Sequence, residues 1–131
     1  MPSTTHRLDA GPETVHWGYF DAKLPPLLRI ESGDTVVIST VSGGREVMPP
    51  PPFAVPHQLS AIHAARQPKL PGHICTGPVA VKGAKPGQVL EVRIKEITLN
   101  YDLGYNFSGP LTGALPDDFA ERQLMYGLSA S

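Results

Sequence analysis

Five histidines and a single cysteine are the side chains of this 131-residue chain best suited to chemistry near neutral pH. His6 lies in a polar stretch that implies a solvated side chain. His57 and His63 stand six apart on a helix candidate, which puts them on opposite faces. That is not the i, i+4 pair that grips a metal from one face, so both read as surface residues. His16 and His73 differ, because each sits in an aromatic or glycine-rich segment at the end of an expected strand, where β folds carry their sites. A neutral imidazole there can ligate a metal or act as a general base; a hydrogen bond to the loop backbone is the competing reading. Cys75 shares a strand face with His73, two residues away, and is either a nucleophile or a small buried hydrophobe. The acids Asp21, Asp34, Asp102, Asp117 and Asp118 all lie in or beside turns, where the carboxylate bonds the local backbone. The sequence has no phosphate-binding glycine loop, GxSxG elbow, HExxH or CxxC pair.

The elements that must position these residues are strands. Fifteen prolines and thirteen glycines argue against a helical bundle, because both interrupt helices. The formal net charge of −1 and the absence of a basic stripe exclude the usual nucleic-acid binder. No apolar run approaches the roughly 20 residues needed to span a bilayer, so no membrane partner is expected. The opening residues lack the apolar core of a secretory signal, and one cysteine cannot close an intrachain disulfide. Both fit a cytoplasmic protein. The expected fold is mainly β, a sandwich or barrel-like domain with one or two short helices.

In chain order, residues 1–14 read as a loose lead-in, 15–119 as the β domain and 120–131 as a divergent tail. Strands are expected at 15–20, 27–31 and 35–41, the last two joined by a Ser32-Gly33-Asp34 turn. LRIESGDTVVI resembles VAVKGAKPGQVLEVRI faintly, as strand-turn-strand units in any β protein do. Pro49 to Pro52 reads as an extended polyproline segment inside a rigid loop, packed down by Val47, Met48, Phe53 and Val55. A helix is expected over 57–66, with Pro56 at its start and Leu59, Ile62 and Ala65 at helical spacing. Residues 72–99 are the most organised stretch: the His73 turn, a short strand at 79–81, a second turn, then a long alternating strand. There Leu90, Val92 and Ile94 share one face and Glu91, Arg93 and Lys95 the other, with a bulge expected near Lys95-Glu96. A short helix is expected from Pro116 to Leu124.

The run His73-Ile74-Cys75-Thr76-Gly77-Pro78-Val79-Ala80-Val81-Lys82-Gly83-Ala84-Lys85-Pro86-Gly87-Gln88-Val89-Leu90-Glu91-Val92 resembles the H-x-x-[ST]-G-P-[IV]-x-V-x-G-A-x-P-G-D-x-L-x-V signature of the acetamidase/formamidase family. HWGYFDAKLPP (16–26) with IESGDTV (30–36) is similar to that family's N-terminal block, and LGYN…GALPDDF (103–119) to a later one. The resemblance implies an amidohydrolase that converts a small linear amide, such as formamide or acetamide, to a carboxylate and ammonia. It further implies a mainly β homo-oligomer, in which a divalent metal such as zinc held partly by histidine would activate the nucleophile and polarise the carbonyl. His16 and His73 are then the candidate metal ligands or acid–base groups. His73 and Thr76 are the candidate catalytic residues, and the Thr76-Gly77 backbone the candidate oxyanion donor.

The chain departs from the family in two ways. Gln88 replaces the usual acid after Pro-Gly, so a turn-capping carboxylate is lost. The family's Gly-Gly-Asn-x-Asp and Gly-Asp-x-His blocks also have no counterpart, so the expectation is an N-terminal fragment with an incomplete site. The competing reading is a non-catalytic β module that binds or oligomerises through an exposed edge.

Overall fold

The computed structural model describes residues 3–111, 113–115, 117–118 and 120–128. It is mainly β: among the described residues there are eight strands, one α-helix and a 3-10 turn over Arg45–Val47. The strands are β1 (Thr5–Leu8), β2 (Val15–Trp17), β3 (Leu28–Ile30), β4 (Thr35–Ile38), β5 (Ile74–Thr76), β6 (Val79–Val81), β7 (Leu103–Ser108) and β8 (Arg122–Gly127). They join two by two in small sheets: β1 with β4 and β3 with β6 in parallel, β2 with β5 and β7 with β8 antiparallel. No helix among the described residues is long and apolar enough to cross a membrane.

Most of the expected elements form, and they are shorter than periodicity suggests. The β-branched run Thr35-Val36-Val37-Ile38 makes β4, and Val79-Ala80-Val81 makes β6. The first strands of the two faintly similar units pair with each other, Leu28 opposite Val79 and Ile30 opposite Val81. The helix α1 runs His57–Ala65 and ends where Arg66 N–H donates to Ile62 O, two residues before Pro68. Leu59 and Ile62 are buried, Ile62 completely. Ala65, expected on that face, is exposed.

The core gathers around these two helical residues. Ala10, Val15, Trp17, Val41, Leu59 and Ile62 form one buried cluster, with Met48, Val55, Ile74 and Tyr101 packed against it. Burial in this cluster pushes the Tyr101 phenol pKa up. Arg45 anchors the end of α1. Its guanidinium donates to His63 O, to Arg66 O at 3.2 Å and to Gln67 Oε1 at 3.1 Å, covering carbonyls the helix leaves unpaired.

Several expectations need correction. The lead-in is not loose: Thr5–Leu8 forms β1 because β4 offers a parallel edge, in the register Thr5 to Thr35. His6 is accordingly not simply solvated, since its Nε2 donates to Asp34 Oδ2 at 2.9 Å. His63 is half-buried, stacked on Trp17 at 5.3 Å between ring centroids and donating from Nε2 to Gly43 O at 3.0 Å. The proline run does not continue as polyproline helix; it turns, with Phe53 N–H donating to Pro50 O at 3.1 Å and a cis Pro51–Pro52 bond. The packing of Val47, Met48 and Val55 beneath it is as expected.

The expected long strand after Gln88 pairs with nothing among the described residues, and so has no bulge at Lys95-Glu96. The expected helix after Pro116 is replaced at its end by β8; Pro116 and Phe119 lie outside the described residues, as do Ser129 to Ser131 of the tail. Gln88 does not leave its turn uncapped. Its Oε1 accepts from Lys85 N–H at 2.7 Å, so the amide oxygen fills the role expected of a carboxylate.

Candidate functional site

The two segments that carry the suggestive histidines meet in one strand pair. In β2 and β5, Val15 lies opposite Thr76, His16 opposite Cys75 and Trp17 opposite Ile74. Directly opposed residues share a face and alternate residues switch it. Val15 and Trp17 are buried in the core cluster, so His16 and Cys75 occupy the other side of the ribbon. Cys75 therefore has His16 as its cross-strand neighbour, whereas sequence spacing pairs it with His73.

The ribbon continues past β2 because Gly18 N–H donates to His73 O at 3.0 Å and Lys69 N–H to Trp17 O at 3.1 Å. Trp17 Nε1 donates to Gly72 O at 3.2 Å, tying the indole to the same turn. Gly18 is required here. Its φ is +84°, and a Cβ on it would sit 1.7 Å from Leu70 O.

On the His16–Cys75 side lies an open cleft of about 430 Å³, lined by His16, Phe20, Asp21, Cys75, Thr76 and Pro78, with Ala22 and Leu24. Its shape comes from the chain turning after β2. Asp21 Oδ1 accepts from Lys23 N–H at 2.8 Å, and Leu24 N–H donates to Asp21 O, so the 21–24 turn folds back beside the strand pair. Phe20 is 87% exposed and stands at the rim. The His16 ring meets Tyr19 edge-on at 5.5 Å, and Lys69 Nζ lies 4.6 Å above the Tyr19 ring. His16 Nδ1 is buried without a hydrogen-bond partner among the described residues. A buried ring nitrogen left unpaired costs free energy, so His16 carries an unmet hydrogen-bonding demand beside the cleft.

The remaining expected site residues are placed differently. His73 is exposed and does not line the cleft; its carbonyl serves the ribbon. Thr76 borders the cleft, but its side chain shares the core side of the ribbon with Val15, and its hydroxyl donates to Ser39 O at 3.0 Å. Gly77 is buried, and its N–H donates to Thr14 O at 3.0 Å, which engages the amide that the resemblance makes an oxyanion donor. Cys75 is a free thiol, half-buried, with its Sγ 3.9 Å from His73 O. Among the described residues no three His, Cys, Asp or Glu side chains are drawn together as a metal site would need. Phe20 and Pro78 were not singled out by residue type, and Asp21 was read only as a turn residue. The signal that could have found them was the pair of resembling blocks, since Phe20 and Asp21 lie in 16–26 and Pro78 in 73–92.

The strongest electrostatic feature lies outside the cleft. The Asp34 carboxylate accepts from Thr4 N–H at 2.9 Å, from His6 Nε2 at 2.9 Å and from Glu31 N–H at 3.0 Å. These bonds, the Thr4 amide foremost, lower its pKa from 3.8 to about 2. This is a structural clamp between β1 and the turn before β4. Comparison with protein-family models, curated proteins and solved structures finds no match for this chain.

Proposed function

We propose that this chain supplies one wall of an active site that hydrolyses a small linear amide, of the formamide or acetamide type, to a carboxylate and ammonia. One observation carries the reading. The two blocks that resemble the acetamidase/formamidase family, 16–26 and 73–92, lie far apart in sequence, yet both contribute to a single cleft through the β2–β5 pair. Amide hydrolysis needs an activated nucleophile, a polarised carbonyl and a proton for the departing amine. His16 is the acid–base group on this wall, because its ring lines the cleft. Phe20 and Pro78 offer apolar surface to a short acyl chain. His73 would act only from outside this lining.

Zinc or a similar divalent ion takes three or more protein ligands. The resemblance offers His16 and His73, but His73 does not line the cleft with His16 and no group of three such side chains forms among the described residues, so no step is routed through a metal. The carbonyl-polarising group is also missing from this wall, since the Gly77 amide is engaged by Thr14. The family's Gly-Gly-Asn-x-Asp and Gly-Asp-x-His blocks are the natural source of both. The free cysteine fits a reducing, cytoplasmic setting.

Ammonia release from formamide and acetamide tests this. The chain is assayed alone and mixed with a polypeptide carrying the two further blocks. Release is expected from the mixture, with a fall of about 100-fold or more for His16→Ala. No release from either preparation removes the amide reading. The second reading, a non-catalytic assembly module, is favoured by a separate observation, the exposed apolar face of residues 89–99.

A further inference from the structure

We infer that residues 88–96 form a two-fold contact between two copies of this chain, an antiparallel strand pair centred on Val92. The segment has a strand's sequence pattern without a strand's partner. Val89 is 95% exposed, and Leu90, Val92, Ile94 and Ile97 are each at least 70% exposed. Among the described residues, none of the backbone groups from Val89 to Leu99 has a backbone partner. Nor does the segment float. The Lys85–Gln88 turn fixes its start, Lys95 Nζ donates to Thr35 Oγ1 at 2.6 Å in its middle, and Tyr101 packs against the core just beyond it. Glu91 and Arg93 contact each other, as residues two apart on one face of an extended chain do. A held, extended, apolar edge with free N–H and C=O groups is a template for another strand.

Charge selects the occupant and the register. An antiparallel self-pair keeps the apolar faces together only when it is centred on a residue. Centred on Glu91 it sets Glu91 against the partner's Glu91, and centred on Arg93 it sets Arg93 against the partner's Arg93, although Glu91 then meets the partner's Lys95 on either side. Centred on Ile94 it sets Arg93 against the partner's Lys95. Centred on Val92 it sets Val92 against the partner's Val92, Leu90 against the partner's Ile94, and Glu91 against the partner's Arg93, each of the last two twice. Opposite charges directly across a strand pair stabilise it and like charges destabilise it. The Val92 register is thus the one that joins opposite charges without a like-charge pair. Surface is also in surplus: the chain exposes 10154 Å², against the ~6,700 Å² expected of a compact monomer of 14.0 kDa. The excess is larger than the roughly 800 Å² each partner contributes to a standard interface.

The inference concerns a surface apart from the cleft and is read by mass, so it stands or falls separately from the amide reading. Light scattering after size exclusion tests it with the full chain and a charge swap. Dimers are expected for the native chain, monomers for Glu91→Arg and for Arg93→Glu, and dimers again when those two variants are mixed in equal amounts. The double variant E91R/R93E, which restores every cross-strand pair, is expected to dimerise and controls for any effect of either substitution on folding. A monomeric native chain, single variants that still dimerise, or a mixture that stays monomeric overturns the proposal. So does an assembly larger than two, because a two-fold strand pair closes on itself.

Discussion

Asp34 shows how far one side chain can reach in a small β domain. Its carboxylate is only 9% exposed and bridges Thr4, His6 and Glu31, closing β1 onto the turn that launches β4. The sign of its pH effect follows from the direction of its shift. With the folded pKa lowered from 3.8 to about 2, its stabilising contribution is present above the ordinary carboxylate value and is lost as pH falls through about 2. Urea midpoints measured from pH 5 down to pH 2 are therefore expected to fall more steeply for the native chain than for Asp34→Asn, with the two converging at the acid end. Equal slopes would mean that the clamp does not hold in solution. Local chemistry made this residue legible, because an aspartate in a Ser-Gly-Asp turn bonds nearby amides. Its bonds to Thr4 and His6 were not legible, since nothing in residues 1–14 announces a strand whose partner lies thirty positions on. The histidines divide for the same reason. Residue type made His16 and His73 equal candidates, and only the β2–β5 register separates a cleft residue from an exposed one. At Gly18 the close approach of Leu70 leaves no room for a side chain. Gly18→Ala is expected to cost several kcal/mol, by strain and backbone displacement, and to abolish any activity of the cleft. Denaturant unfolding with near-ultraviolet circular dichroism of Trp17 measures both the loss of stability and the loosening of the ribbon.

At the scale of elements, the strands with dense β-branched or apolar sequence were the readable ones. β3, β4 and β6 each carry their own signal, and α1 is marked by Pro56 before it and Pro68 after it. β1 has one buried apolar residue, Leu8, and β8 has none, so each exists because a partner edge is available. Residues 88–99 are the converse case. Their alternation is the clearest in the chain, yet alternation specifies only which face is apolar and not what pairs with the edge. The helix depends on two contacts that can be separated experimentally. Ile62 is completely buried, and Ile62→Ala is expected to lose about 2–5 kcal/mol. Arg45 covers the last carbonyls of α1 and lies 5.8 Å from the Trp17 ring, and Arg45→Met is expected to lose about 1 kcal/mol. Salt distinguishes the two. The Arg45 effect should shrink as ionic strength rises, because it acts at an exposed helix end, whereas the Ile62 effect should not. An Arg45→Met loss indifferent to salt would assign its role to packing of the aliphatic stem.

For the whole molecule, the small core and the large surface belong to one argument. Six residues form the buried cluster, while aliphatic side chains from Val89 to Leu99 remain open to solvent. Burying apolar surface is worth roughly 25 cal/mol per Å², so a chain that leaves its best alternating segment exposed forgoes much of the stabilisation its composition allows. If a second copy covers that segment, folding and association are linked, and stability must depend on protein concentration. The thermal midpoint of the native chain is therefore expected to rise with concentration, and that of Glu91→Arg to stay constant. Hydrogen exchange supplies the residue-level counterpart. Alternate amides from Val89 to Lys95 should be protected in the native chain at high concentration and exchange freely on dilution, while the ladder amides of β2 and β5 keep their protection throughout. A midpoint independent of concentration, together with unprotected amides in this segment, would assign the apolar edge to some other polypeptide. In that case the β2–β5 ribbon and its cleft would be the part of the molecule that stands alone, and the edge would be the place where the rest of a site is added.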